Sequence, residues 1–148
     1  MEEMPRGETS QRVCIHRKGA TRAYPPGHPL VPPACRKVGQ PVLVPGDMGR
    51  FSFVLVGNPG SLELTFGSAC HGAGRELSRT QAKQLGKGRP LLRELEEKGI
   101  YAKTAGRHTL IEEMPEAYKD VSKVVNATEA AHIATIVARL RPIGVIKG

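Results

Sequence analysis

Val42-Leu43-Val44-Pro45-Gly46-Asp47-Met48-Gly49-Arg50-Phe51-Ser52-Phe53-Val54-Leu55-Val56 sets two apolar runs on either side of a turn rich in proline and glycine. Runs of this composition, bounded by turn residues, read as strands. Leu62-Glu63-Leu64-Thr65-Phe66 reads as a third, separated from the second by Gly57-Asn58-Pro59-Gly60. Upstream, Pro25, Pro26, Pro29, Pro32 and Pro33 forbid a helix, so the chain before residue 41 is extended or looped. Val13 and Ile15 alternate with Cys14 and His16 as a short strand does, and residues 1–10, polar throughout, read as a flexible segment. Downstream, Ser78-Arg79-Thr80-Gln81 has the form of a capping box, and Leu91, Leu92 and Leu95 share a helical face that Gly99 ends. Ile100-Tyr101-Ala102 reads as a strand, residues 115–125 as a helical turn or two, and residues 136–146 as a long strand interrupted at Pro142. The expected class is α+β, a mixed or antiparallel sheet with a few short helices, in one domain over residues 11–148.

The 148 residues are 39% hydrophobic, enough for one core. Lys and Arg total 22 against 14 Asp and Glu, a formal charge of +8, which suits a polyanionic partner without identifying one. Cys14, Cys35 and Cys70 are odd in number and widely spaced, neither a disulfide framework nor a C-x-x-C pair, which fits a reducing, cytoplasmic setting. No apolar run approaches the roughly 18 residues of a membrane span.

Thr65-Phe66-Gly67-Ser68-Ala69-Cys70-His71-Gly72-Ala73-Gly74-Arg75 places a histidine among residues with almost no side-chain bulk. A neutral imidazole is a nucleophile near pH 7, because its ordinary pKa of about 6.5 leaves much of it unprotonated. It forms phosphoramidates that transfer their group onward. Glycines 72 and 74 would let backbone N–H groups approach phosphate oxygens, and Arg75 and Arg79 would add charge. Taken by itself, the pattern favours an ordinary loop histidine. Likewise His16-Arg17-Lys18-Gly19-Ala20-Thr21-Arg22 is a basic cluster that reads as a solvated loop or as a phosphate contact. Lys147 reads as a solvated terminal charge, or as one anchored by the apolar Pro142-Ile143-Gly144-Val145-Ile146 before it. Arg139 and Arg141, two apart on the expected strand, share a face. His28, His108 and His132 have no ligand-spaced partner and receive no role. Glu112, Glu113 and Glu116 read as structural caps or as ion-pair partners, for instance of Lys119.

Together with Pro45-Gly46-Asp47-Met48-Gly49, Glu113-Met114-Pro115-Glu116-Ala117-Tyr118-Lys119-Asp120 and Arg139-Leu140-Arg141-Pro142-Ile143-Gly144-Val145-Ile146-Lys147-Gly148, the histidine motif resembles the C-terminal part of RtcB-type RNA ligases, over residues 12–148. The resemblance implies a GTP- and manganese-dependent ligase joining RNA that ends in a 3′-phosphate or 2′,3′-cyclic phosphate to RNA with a 5′-hydroxyl, as in tRNA splicing and RNA repair. It implies that His71 is the residue guanylylated by GTP. Nucleotide contacts fall to Pro45, Gly46, Asp47, Met48, Ser52, His71, Gly72, Ala73, Gly74 and Lys147. RNA phosphate falls to Arg17, Lys18, Arg22, Arg75 and Arg79.

Two features depart from the family. The manganese ligands of the complete ligases lie in the part that precedes this stretch, so the chain reads as a portion that needs an N-terminal ligase part as partner and is inactive alone. Asp47 stands where a small neutral residue is expected, and a carboxylate beside phosphate is repulsive unless it points away or is offset, for instance by Arg50; otherwise it marks decayed nucleotide binding. A non-catalytic basic module that binds RNA or nucleotide is the alternative reading.

Overall fold

The computed structural model describes residues 1–147, and for Pro5, Arg6, Arg107 and His108 the backbone alone. The side chain of His108, given no role above, and Gly148, the end of the expected domain, lie outside what is described. In chain order the elements are β1 (Glu2–Arg6), β2 (Thr9–Val13), β3 (Ala20–Arg22), β4 (Pro41–Val44), β5 (Ser52–Gly57), α1 (Gly60–Thr65), β6 (Ser68–Cys70), α2 (Arg79–Leu85), α3 (Leu91–Glu97), β7 (Tyr101–Thr104), α4 (Arg107–Glu112), α5 (Val121–Ala130), β8 (Ala134–Leu140) and β9 (Gly144–Lys147). Single 3₁₀ turns cover Pro33–Cys35 and Pro115–Ala117. The class is α+β, as expected.

The two opening strands form as read. β4 pairs antiparallel with β5, and β5 with β8, giving a three-stranded sheet in the order β4-β5-β8. Val42, Val44, Phe53 and Leu55 alternate onto one face, which is buried against Val121 and Val125 of α5 together with Ala69 and Ala73. A second core gathers Met48, Ala82, Leu91, Leu95, Leu110 and Met114 under α2, α3 and α4. The loop between β4 and β5 therefore joins the two cores, with Val44 in the first and Met48 in the second, and the half-buried Tyr118 packs against both.

α2 begins with the full capping box: the Gln81 N–H donates to Ser78 Oγ at 3.2 Å and the Ser78 N–H to Gln81 Oε1 at 2.9 Å. α3 starts after Pro90 and stops before Gly99, which takes φ +73°. Asp120 caps α5, its Oδ1 accepting the Ser122 N–H at 2.9 Å.

Three expectations are corrected. Residues 62–66 are not a strand but lie in and just after α1, whose Thr65 hydroxyl donates to the Ser61 carbonyl at 2.9 Å. Five alternating residues fit a helical face as readily as a pleat, and here Leu64 and Phe66 point outward. The strand before His71 is instead β6. Residues 1–10 are not unstructured: β1 pairs with β2 from Glu2 opposite Val13 to Arg6 opposite Thr9, and Met4 is buried with Tyr24 and Val31. Finally, residues 136–146 divide between two sheets. β8 ends before Pro142, and β9 runs parallel to β7, with Lys147 opposite Thr104.

Candidate functional site

His71 is exposed and follows β6 directly. β6 pairs antiparallel with β3, Ala20 opposite Cys70 and Arg22 opposite Ser68, which lays the basic cluster of residues 16–22 alongside the histidine. Gly19 lies so close that a Cβ there would sit 3.9 Å from His71 Cε1. On the other side the Ala73 N–H donates to the Pro45 carbonyl at 3.0 Å, tying the histidine loop to the turn between β4 and β5. Gly74 takes φ +74°, a conformation that costs an ordinary L-residue about 1–2 kcal/mol, and its carbonyl accepts the Lys119 N–H at 3.1 Å.

Pro45, Gly46, Asp47, Met48, Ser52 and Lys147 line one cleft of about 280 Å³. The resemblance implies nucleotide contacts for these six, and the fold brings them together. His71 and Gly72–Gly74 are not in its lining; they adjoin it through Pro45. Lys147 reaches the cleft because β9 is held by β7, the Ala105 N–H donating to the Lys147 carbonyl at 3.0 Å. Glu113 and Tyr118 also line the cleft. Sequence reading gave them no part in it, since their place depends on pairings between segments far apart in the chain.

Asp47 lines the cleft without presenting a free charge. Its carboxylate is wholly inaccessible, accepts the Gly49 and Arg50 N–H groups at 2.9 and 3.0 Å, and pairs with Arg50 Nε at 2.5 Å. Of the alternatives for this residue, offset by Arg50 is the one the geometry displays. Asp47→Ala leaves three donors without their acceptor and is expected to cost about 3 kcal/mol, read as a lowered urea midpoint.

The expected phosphate-binding cations divide into two groups. Lys18 and Arg22 are exposed, with no ion pair among the described residues. Arg79 is exposed and pairs with Glu112 at 3.3 Å. Arg17 is mostly buried: it donates to Ser68 Oγ at 2.9 Å and to the Phe66 carbonyl at 3.1 Å, and pairs with Glu2 at 3.6 Å. Arg75 donates to Glu113, to the Tyr118 hydroxyl and to the carbonyls of Leu77 and Glu112, so its guanidinium is committed to holding the fold. Arg139 and Arg141 do not act together. Arg139 lies over the Phe51 ring at 4.5 Å, whereas Arg141 donates to the Lys98 carbonyl at 2.6 Å. Glu116 pairs with Arg89 at 3.1 Å, and none of the three glutamates pairs with Lys119.

A family model described as tRNA-splicing ligase RtcB matches residues 1–148. The chain belongs to the tRNA-splicing ligase RtcB family. It is 56% identical over 137 residues to the tRNA-splicing ligase RtcB of Thermococcus kodakarensis, covering 93% of this chain and 28% of that protein. Identity is 53% over 137 residues to the Pyrococcus abyssi protein of the same name, again 93% of this chain and 15% of the relative. With the Nanoarchaeum equitans tRNA-splicing ligase RtcB it is 51% over 138 residues, 93% of this chain and 29% of the relative. The chain therefore spans less than a third of the length of these RtcB relatives. Among the described residues no three His, Cys, Asp or Glu side chains come together as a metal site, and no helix is long and apolar enough to cross a membrane.

Proposed function

We propose that this chain is the nucleotidyl-accepting portion of an RNA ligase, with GTP as the nucleotide donor and His71 as the nucleophile. The observation that carries the reading is the placing of one exposed imidazole between the basic segment of residues 16–22 and a cleft. Ala20 opposite Cys70 sets the cations on one side, and the bond from Ala73 to the Pro45 carbonyl sets the cleft on the other. Family membership supplies the RNA.

A cleft of about 280 Å³ lies near the lower end of the range for small-molecule sites, and it offers an ammonium and a hydroxyl to a polar ligand. These residues fit a nucleotide. They do not fit manganese, whose ligands would have to come from another part of the ligase.

In the first step a ring nitrogen of His71 bonds to the α-phosphorus of GTP as the bond to pyrophosphate breaks, leaving GMP on the histidine. An oxygen of the RNA 3′-phosphate then attacks that phosphorus and the N–P bond breaks, returning neutral His71. The 5′-hydroxyl oxygen of the second RNA attacks the activated 3′-phosphate, GMP leaves, and the hydroxyl proton passes to solvent. Lys18 and Arg22 hold RNA through phosphate, so binding is sensitive to salt and tolerant of sequence.

The test combines the chain with a separately made N-terminal portion of an RtcB ligase, GTP, manganese, and RNAs bearing a 3′-phosphate and a 5′-hydroxyl. Joined RNA is expected only when both portions are present. A folded, assembled pair that never joins RNA would favour a binding module.

A further inference from the structure

Glu113 stands just after α4, lines the cleft beside Lys147, and has no task in the chemistry above. Its side chain is only 17% exposed, and its carboxylate joins two segments distant in sequence, at Arg75 and Lys147, to the nearby Tyr118. Oε1 accepts from Arg75 at 3.1 Å, while Oε2 accepts both the Tyr118 hydroxyl and Lys147 Nζ, the latter at 3.4 Å. Arg75 lies four residues after His71 and is fixed in turn by the Leu77 and Glu112 carbonyls at 3.1 and 2.7 Å and by stacking 5.0 Å from the Tyr118 ring centre. Of Glu113's three partners, Lys147 makes the longest contact, and at 35% it is more exposed than Arg75 at 26%. A carboxylate with several acceptor sites keeps its charge satisfied by Arg75 and Tyr118 when a lysine turns to another acceptor.

We propose that Glu113 is a positioning residue, holding the Lys147 ammonium in the cleft and tying the terminal strand to the loop that carries His71. The inference rests on the cleft being the nucleotide site. With GTP absent, Glu113 keeps Lys147 facing inward; with GTP bound, Lys147 exchanges Glu113 for the nucleotide.

Burial pushes the Glu113 carboxyl up, but the Tyr118 hydroxyl, Lys147 and Arg75 together outweigh it and hold it below the ordinary glutamate value. Stability from a depressed carboxyl is present above its unfolded pKa and is lost as pH falls through the folded one. The groups facing Glu113 are Arg75 from the histidine loop, Tyr118 and Lys147. Its neighbour Glu112 is engaged by Lys83 at 2.6 Å and Arg79 at 3.3 Å from α2, and is likewise held low, chiefly by the hydrogen bond from Lys83.

Two measurements test the proposal. The first is amide exchange at Ala105, whose N–H is bonded to the Lys147 carbonyl, corrected for intrinsic exchange. Protection is expected to fall about tenfold as pH drops below about 4, the ordinary glutamate range. In Glu113→Gln it should already be low at pH 7 and flat with pH. A pH dependence that survives in Glu113→Gln would assign the effect to another group, such as Glu112, and overturn the proposal.

The second is GTP affinity in the wild type, Glu113→Gln, Lys147→Met and the double variant. Each single change is expected to weaken binding about tenfold, and the double variant to bind no worse than Lys147→Met. Additive losses, or a Glu113→Gln that binds as the wild type does, would overturn the positioning role. A wild type with no measurable GTP affinity, or a Lys147→Met that binds normally, would count instead against the cleft as the nucleotide site, with the exchange experiment still deciding what Glu113 does.

Discussion

His71→Ala is expected to abolish RNA joining by the assembled ligase, a loss of about 10⁴-fold or more, as removal of a covalent nucleophile produces. The reasoning is local. His71 is exposed, and the β3–β6 ladder and the Ala73 N–H that hold its loop are backbone interactions that alanine preserves. The variant should therefore match the wild type in circular dichroism, thermal midpoint and salt-dependent RNA binding, and differ in joining alone. Activity within tenfold of the wild type would mean that the nucleotidyl group is carried elsewhere. Lys18→Ala and Arg22→Ala should show the opposite signature, with weaker RNA binding and a shallower salt dependence, by about one charge each.

Gly46→Ala is expected to lower stability as much as Asp47→Ala does. A Cβ at this position would overlap the Phe51 carbonyl oxygen and stand 2.8 Å from Val121 Cγ1, so the clash is with a backbone atom of the adjoining loop and with a fully buried side chain of α5. Neither neighbour swings aside freely. The cost is about 3 kcal/mol, at the upper end of the range for overpacking, and a large part of the stability of a domain this size. Urea unfolding should show a much lower midpoint, with loss of the cleft as the Pro45–Ser52 turn is displaced. A midpoint close to that of the wild type would mean that the turn does not pack against α5 as described.

The parts of this architecture that were legible in the sequence are those written locally. β4 and β5 show as β-branched runs around a turn, α2 as a capping box whose two hydrogen bonds both form, and α3 as a leucine face between Pro90 and Gly99. Residues 62–66 carried the same kind of signal and misled. Pro59 and Gly60 open the helix, and of the alternating Leu62, Leu64 and Phe66 only Leu62 packs on a core, the other two being left on the outside. The β1–β2 hairpin was hidden because its strands are mostly polar, and its buried anchor Met4 packs on Tyr24 and Val31, distant in sequence.

Site residues divide in the same way. The motifs named from resemblance line or adjoin one cleft, which local composition alone could not have shown. Arg75 looked like a phosphate ligand because a cation follows a glycine loop. Apart from the neighbouring Leu77 carbonyl, its actual partners, Glu113, Tyr118 and the Glu112 carbonyl, come from a segment that only the fold brings near. The same holds for β9: Pro142 announced the break, but nothing in residues 136–146 says that the second half leaves the central sheet to pair parallel with β7.

The central claim is that His71 accepts the nucleotide, and the most direct test is the intact mass of the purified chain after incubation with GTP and manganese, alone and with a separately made N-terminal ligase portion. The account predicts one added GMP in the assembled pair, removed by acid and mapped by peptide fragmentation to His71. No adduct in a folded, assembled complex, or an adduct mapped to any other residue, would contradict it.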